Sequence, residues 1–446
     1  MDNRIVCNNV DFDYLPRPEQ RLMQERLLRR LISQVHDHPL VAQRLAGFAE
    51  RERADGFWDA FHAIPVVQTG DNRPMLAQRR AAGSRLPGEH GGSMILSSGG
   101  TTGLPKLSWL TFDEMHRGAR LHGKGYASGG IGPDDCVLTF SLPGPLSSES
   151  TVLAALSVTG CVVIPAGSVE YTDELIDLAH DLGVTALLVM STDLVQMLQR
   201  LEARGERLEH VRLVLGGGEV FPASVRAYAR RLLGNGDLVI RSIFQTNEAG
   251  PIGFQCPHND DDVFHLQEEL VYVEVRENGS PGAGTLVATN LDRYLSPAIR
   301  IAVGDIVTLL DGGCPCGRTG RTMRVLGREE RIMKVGGERF RASLLVDLLS
   351  SLGIGPHQAS ILVTRDDVGR DRVELALDRS VDTDTTRTSI RERLESAYPL
   401  LARQLDAGSI GQFRFVSLQP HDLARTAYGK KIWLVDRREE MEGQCP

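Results

Sequence analysis

Asp135-Cys-Val-Leu-Thr-Phe-Ser141, Gly160-Cys-Val-Val-Ile-Pro165, Thr185-Ala-Leu-Leu-Val-Met190, Val211-Arg-Leu-Val-Leu-Gly216 and Val239-Ile-Arg-Ser-Ile-Phe244 are short apolar runs that follow one another along the chain. Helical patterns at residues 171–182, 193–203 and 223–233 separate most of them. Strands alternating with helices indicate α/β architecture with a largely parallel sheet.

Toward the N-terminus, Leu22, Leu27, Leu28, Leu31, Ile32 and Val35 recur among Arg and Gln, which predicts an amphipathic helix opening residues 18–50. From about Glu268 the pattern changes to strands without intervening helices: Leu270-Val-Tyr-Val-Glu-Val275, Gly284-Thr-Leu-Val-Ala-Thr289 and Asp305-Ile-Val-Thr-Leu-Leu310. That predicts an antiparallel β subdomain. The last stretch offers a helix at 342–352, strands at 359–364 and 373–378, a helix at 386–400 and a strand at 412–418. The expectation is a large N-terminal α/β domain with a β subdomain over residues 1–326, followed by a small C-terminal α+β domain over 327–446. Residues 278–284 and 378–385 read as surface turns, with no internal repeat and no low-complexity segment.

The 446 residues are 41% hydrophobic and 24% charged, enough for two or three domains with their own cores. A net charge of -8 leaves no electrostatic footprint for nucleic acid or an anionic membrane. The start lacks a basic-then-apolar leader, and residues 153–166 and 186–190 are too short to span a bilayer, so the expected location is cytoplasmic. Seven cysteines are too sparse for a disulfide framework. Cys7, Cys136, Cys161 and Cys445 are scattered, whereas Cys256, Cys314 and Cys316 gather near His258 and His265.

Leu96-Ser-Ser-Gly-Gly-Thr-Thr-Gly-Leu-Pro-Lys106 is the strongest local signal. Gly99, Gly100 and Gly103 let the backbone turn its N–H groups toward an anion. Ser97, Ser98, Thr101 and Thr102 add hydroxyl donors, and Lys106 adds charge. The spacing is neither a Walker A loop nor G-x-G-x-x-G. A flexible surface loop is the plain alternative, but a Ser/Thr/Gly run closed by Gly-x-Pro-Lys points to a phosphate cradle.

Residues 97–106 resemble the signature loop of the adenylate-forming superfamily of acyl-CoA synthetases, aryl-acid ligases and adenylation domains. The doubled glycine is similar to the aryl-acid ligase form. Pro16-Arg-Pro-Glu-Gln-Arg-Leu-Met-Gln-Glu-Arg-Leu27 and the overall length look like the phenylacetate–CoA ligase branch. Further motifs follow in the family's order. Phe244-Gln-Thr-Asn-Glu-Ala-Gly-Pro251 stands where the family has Tyr-Gly-x-x-Glu, with Phe244 for Tyr and Gln245 for Gly. The resemblance implies that Glu248 holds the magnesium ion of the nucleotide, that Thr246 lies by the α-phosphate and that Phe244 stacks on adenine.

Gly216-Gly-Gly-Glu219 resembles the strand-end turn beneath adenine and the acyl pocket, which gives Gly217, Gly218 and Glu219 a binding role. Pro297-Ala-Ile-Arg-Ile-Ala-Val-Gly-Asp305 is similar to the stretch whose Asp accepts from the ribose hydroxyls, with Ile301 and Val303 replacing an aromatic residue and Thr. Leu326-Gly-Arg-Glu-Glu-Arg-Ile-Met-Lys-Val-Gly-Gly-Glu338 looks like the family's hinge. Arg328 would contact ribose or phosphates, Glu330 would be the pivot, and Gly336 and Gly337 would face the site in a second conformation. In Arg425-Thr-Ala-Tyr-Gly-Lys-Lys431, Lys430 would neutralise charge during adenylation, with Lys431 as the neighbouring alternative.

Cys256, His265, Cys314 and Cys316 suit tetrahedral zinc, the C-x-C pair bringing two sulfurs to one ion, and His258 is an alternative to His265. Free thiols are the plain alternative. Some members of the phenylacetate–CoA ligase branch carry a structural zinc here, and Cys314-Pro-Cys-Gly-Arg318 is similar to their element.

The resemblance implies a two-step ATP-dependent ligase. An aromatic or heteroaromatic acid is joined to AMP, and a mobile lid then lets a thiol displace the AMP. The branch favours CoA as acceptor, while an acyl carrier protein or an amine stays open, as does the identity of the acid. Residues 141–148 and 216–219 are expected to line the acyl pocket. The expected cofactors are ATP, Mg2+ and structural Zn2+. The expected partners are a small carboxylic acid and CoA, without nucleic acid or membrane, and a homodimer is left open. A non-catalytic nucleotide-binding relative, suggested by Phe244, Gln245 and Val303, and an unrelated zinc-dependent binding module are the rival readings.

Overall fold

The computed structural model describes residues 11–68, 74, 76–77, 92–97, 107–140, 149–167, 172–217, 221, 223–234, 236–280, 282–310, 313–328, 332–335, 338–355, 358–365, 371–397, 399–406, 412–419 and 434–437. Its first strands are β1 (Val67–Gln68) and the antiparallel hairpin of β2 (Ser93–Ser97) with β3 (Leu107–Thr111). Strands β4 (Cys136–Thr139), β5 (Val162–Pro165), β6 (Ala186–Val189), β7 (Leu213–Gly217) and β8 (Val239–Thr246) form a parallel half-sheet in the order β5-β4-β6-β7-β8.

This half-sheet is covered on both faces, and the composition of its strands says why. In β6, Ala186-Leu-Leu-Val189, every residue is buried. Alternate side chains leave a strand on opposite faces. Leu187 and Val189 pack with Ile176, Leu194 and Val225 of the helices Thr172–Asp181, Ser191–Arg204 and Ala223–Leu232. Ala186 and Leu188 pack on the other side with Met115, Val152 and Leu156 of the helices Phe112–Gly129 and Glu149–Leu156.

The antiparallel strands are β9 (Gly250–Phe254), β10 (Val263–Leu266), β11 (Val271–Ser280), β12 (Ala283–Asn290), β13 (Ile301–Leu310) and β14 (Thr322–Arg328). They do not form a separate sheet. Antiparallel pairing of β9 on β8 continues the parallel half into the order β9-β10-β14-β13-β12-β11, with β1 parallel to β13. One mixed sheet thus carries both halves of the large domain.

The N-terminal helix runs Arg17–Val35, shorter than the 18–50 pattern. Pro39 disfavours helical geometry at His38, and short helices replace the expected continuation. The chain's C-terminal part begins with the hairpin β15 (Ile332–Val335) and β16 (Glu338–Arg341), followed by the helix Ala342–Ser351. Strands β17 (Ala359–Arg365), β18 (Asp371–Asp378), β19 (Gln412–Leu418) and β20 (Leu434–Asp436) form a second sheet, ordered β19-β18-β17-β20. Leu345, Leu349, Ile361, Val363, Leu375 and Ile390 make its own core. The helix expected over 386–400 is two, Asp384–Ala397 and Pro399–Asp406, because proline suits the opening of a helix and not its interior. No helix among the described residues is long and apolar enough to cross a membrane.

Candidate active site

The elements that flank the glycine-rich loop converge on the carboxyl end of β8. Ser97, buried at the end of β2, lies directly opposite Leu107 at the start of β3, so the two residues that flank the glycine-rich loop are cross-strand neighbours. From β3, Ser108 donates through Oγ to the Asn247 carbonyl at 3.0 Å. This joins the loop's exit strand to the β8–β9 turn that holds Glu248. Thr246 sits at the end of β8, and its Oγ1 accepts the Ala249 N–H at 3.0 Å, which fixes the turn from inside.

Two side chains not singled out from the sequence hold this turn from below. Arg293 donates to the carbonyls of Asn247 and Glu248 at 2.6 and 2.7 Å, and Asn290 donates through Nδ2 to the Ala249 carbonyl at 2.6 Å. Burial lowers the Arg293 pKa to about 10, while the charges of Glu114 and Glu248 act to raise it. It remains a cation at neutral pH.

The end of β7 lies beside β8, with Gly217 paired to Ile243. Phe221 crosses over Gly216 so closely that a Cβ there would meet the ring at 2.0 Å, which only glycine accommodates. Phe244 packs against Phe264, ring centroids 5.8 Å apart. Gln245 and Thr246 line a cavity together with Thr151 and His122.

Asp305 is buried within β13, in a bulge rather than a hairpin turn. Thr285 pairs with Ile306 and Val287 with Ala302, so residues 303–305 exceed what the partner strand spans, and Gly304 takes φ +84°. On the other side Asp305 pairs with Arg328, and a second irregularity at Leu326–Gly327 shifts that register. Two residues expected at the nucleotide are therefore backbone neighbours across the β13–β14 ladder. Ser98, Gly99, Gly100, Thr101, Thr102, Gly103, Lys106, Gly218, Glu219, Glu330, Gly336, Gly337, Lys430 and Lys431 lie outside the described residues, as do residues 141–148.

The four expected metal ligands come together on one side of the same sheet. The ligand atoms of Cys256, His265, Cys314 and Cys316 all lie within 4.8 Å of one another. Cys256 Sγ and Cys314 Sγ are 3.6 Å apart, and Cys316 Sγ is 3.4 Å from His265 Nε2. A zinc tetrahedron with Zn–S of about 2.3 Å and Zn–N of about 2.0–2.1 Å has S···S edges of about 3.8 Å and S···N edges of about 3.6 Å, so this donor set fits the ion. His258 is exposed, and only its backbone N–H reaches Cys256 Sγ, at 3.4 Å.

Burial and the charge of Arg318 lower the His265 pKa to about 4, leaving a neutral imidazole with a lone pair to give. Burial acts to raise the Cys316 thiol pKa, but hydrogen bonds from the Arg318 backbone and guanidinium outweigh it, and the net shift is downward. Arg318 also bonds Asp13 and Ser128 at 3.2 and 2.6 Å, tying the cluster to the N-terminal segment and to the helix Phe112–Gly129.

Residues 57–269 match the family model described as AMP-binding enzyme. That match covers just under half of the chain, and the likenesses in sequence and fold that follow are to CoA ligases. The chain is similar to phenylacetate-coenzyme A ligase of Thermus thermophilus, with 22% identity over 96% of this chain and 99% of that one. Among solved structures it resembles 2-hydroxyisobutyryl-CoA ligase with 2-HIB-AMP in the postadenylation state, at TM-score 0.75 and 17% identity over 97% of this chain and 92% of the other. Against the same ligase with 2-HIB-AMP and CoA in the thioesterification state, the TM-score is 0.61 at 18% identity, over 97% and 92%.

Proposed function

We propose that this chain is an AMP-forming acid–CoA ligase acting on an aromatic or heteroaromatic carboxylic acid. The observation that carries the reading is the braced turn Thr246–Ala249, bonded to the exit strand of the glycine-rich loop by Ser108 and carrying Glu248 at the carboxyl end of a parallel strand. In the first half-reaction a carboxylate oxygen attacks the α-phosphorus of ATP, and the bond to pyrophosphate breaks, leaving an acyl-adenylate. The Thr246 hydroxyl accepts from Ala249, so its own proton is free to be donated toward an α-phosphate oxygen. Asp305 accepts from the ribose, Arg328 contacts ribose or phosphate, and the glycine-rich loop with Lys106 receives the leaving phosphates. Glu248 would hold magnesium, which would supply positive charge beside the phosphates. Lys430 neutralises the charge that develops between carboxylate and phosphate.

In the second half-reaction the CoA sulfur attacks the acyl carbon, and AMP leaves. The chain that follows β14 acts as a lid that turns about Glu330 between the two steps. The relatives named above, one of them holding CoA, support the thiol acceptor. We assign zinc to Cys256, His265, Cys314 and Cys316 in a structural role, since four protein ligands leave no open position. The enzyme is placed in the cytoplasm, where free thiols persist.

The test is carboxylate-dependent exchange of labelled pyrophosphate into ATP across a panel of acids, followed by CoA, carrier protein and amines as acceptors. Exchange with an aromatic acid and thioester formation with CoA are expected, with Lys430→Ala slowing exchange roughly 100-fold or more. Absence of exchange with every acid supports a non-catalytic relative. Full-rate exchange by Lys430→Ala removes that residue's assigned role.

A further inference from the structure

The helix Phe112–Gly129 turns Gly118, Ala119 and His122 toward the cavity that Thr151, Gln245 and Thr246 close from the other side. Residues 118 and 122 are one turn apart and share a helix face. A Cβ on Gly118 would meet no atom within 4 Å, so this part of the wall is recessed. His122 is only 2% exposed, and its Nε2 is buried without a hydrogen-bond partner. The ring rests against Tyr126 at 4.5 Å between centroids.

Burial lowers the His122 pKa to about 4, so at neutral pH the ring offers one N–H donor and one acceptor. An enclosed polar nitrogen without a partner carries a desolvation penalty that an apolar residue of similar size avoids. A ligand that brings its own hydrogen-bonding group relieves it.

We infer that His122 is a specificity-determining residue, and that the acid carries a hydrogen-bonding substituent, such as a hydroxyl, an amine or a ring nitrogen, that pairs with the His122 imidazole. The body of the acid then lies over Gly118 and Ala119, with its carboxylate toward Thr246. This rests on the acid-activating reading above. A site built around a buried polar group rejects the analogue that leaves it unpaired, more strongly than an apolar pocket rejects an added methylene.

The experiment uses the full chain and non-reactive acylsulfamoyl adenosines of benzoate and phenylacetate, each compared with its ring-hydroxylated and ring-aminated counterparts. Affinities are read by calorimetry, beside pyrophosphate exchange with the free acids. At least one polar analogue is expected to bind about tenfold or more tighter than its unsubstituted parent. His122→Leu is expected to erase that ratio, and His122→Gln, which keeps a donor and an acceptor, to retain part of it. ATP affinity in both variants reports on their folding, and the wild-type ratio needs no variant. Equal affinity of substituted and parent analogues, or a preference that survives His122→Leu, overturns the inference while leaving the ligase reading intact. No analogue binding and no exchange with any acid overturns both.

Discussion

Arg293 supports Glu248 through its backbone: the guanidinium donates to the Glu248 carbonyl at 2.7 Å and to the Asn247 carbonyl at 2.6 Å. The carboxylate assigned to magnesium therefore takes its position from a cation beyond β12, more than forty residues away in sequence.

Arg293→Met removes both bonds and leaves the two carbonyls without that donor. Hydrogen bonds to a charged group are worth about 1.5–3 kcal/mol, so exchange is expected to slow roughly ten- to hundredfold with a higher magnesium requirement. Pyrophosphate exchange against magnesium concentration checks this. An unchanged magnesium curve would show that the turn keeps its shape without Arg293.

Asp305 is assigned to the ribose hydroxyls. Asp305→Ala is expected to raise KM for ATP about tenfold or more while leaving KM for the acid nearly constant. Wild type should also discriminate against 2′- or 3′-deoxy-ATP, and the variant should not. Steady-state kinetics with the three nucleotides decide the matter; equal discrimination in both proteins removes the assignment.

Purified protein is expected to contain about one zinc per chain by elemental analysis, given the closed four-ligand geometry. Cys316→Ser should lose the metal and lower the melting temperature. Because Arg318 links the cluster to Asp13, limited proteolysis near residue 13 should quicken once zinc is removed. Metal-free protein with unchanged melting behaviour would contradict this.

Asp135 gives a stability that depends on pH. Its carboxylate accepts from Thr185 Oγ1 at 2.7 Å, from the Gly132 N–H at 2.8 Å and from Arg212 Nε at 3.1 Å. Burial acts to raise its pKa, but these bonds outweigh it and bring the pKa below the usual 3.8. A depressed carboxylate stabilises the fold fully above the unfolded value and loses that contribution as pH falls through the folded one. Asp135→Asn is expected to cost about 1.5–3 kcal/mol at pH 7, the gap to wild type shrinking below about pH 4. Urea titrations at pH 7, 5 and 3.5 measure it, and a gap that grows toward low pH would reverse the assignment.

The parallel strands were legible because runs such as Ala186-Leu-Leu-Val189 are buried on both faces and need no polar alternation. The helix Phe112–Gly129 was not, since glycine and charge interrupt its apolar face. The spacing Thr111-x-x-Glu114 was a usable clue, and the structure shows the capping box there. The cysteine cluster could be read from residue types alone, while the choice between His258 and His265 needed the β9–β10 pairing that turns His265 inward. Arg293 and His122 left no mark in the sequence. Each acts from a position that only tertiary packing creates.

The cluster also sits where the antiparallel half of the large sheet is thinly laddered. Strand β10 pairs with β9 only at His265 and Leu266, and with β14 only at Val263, Phe264 and His265. Cys256 follows β9, His265 lies on β10, and Cys314 and Cys316 precede β14, so one ion would rivet three strands at that seam. Its presence would make the large domain melt as a single cooperative block. Its removal would let calorimetry resolve two transitions, one for the parallel strands with β9 and one for the strands from β10 onward that include Asp305.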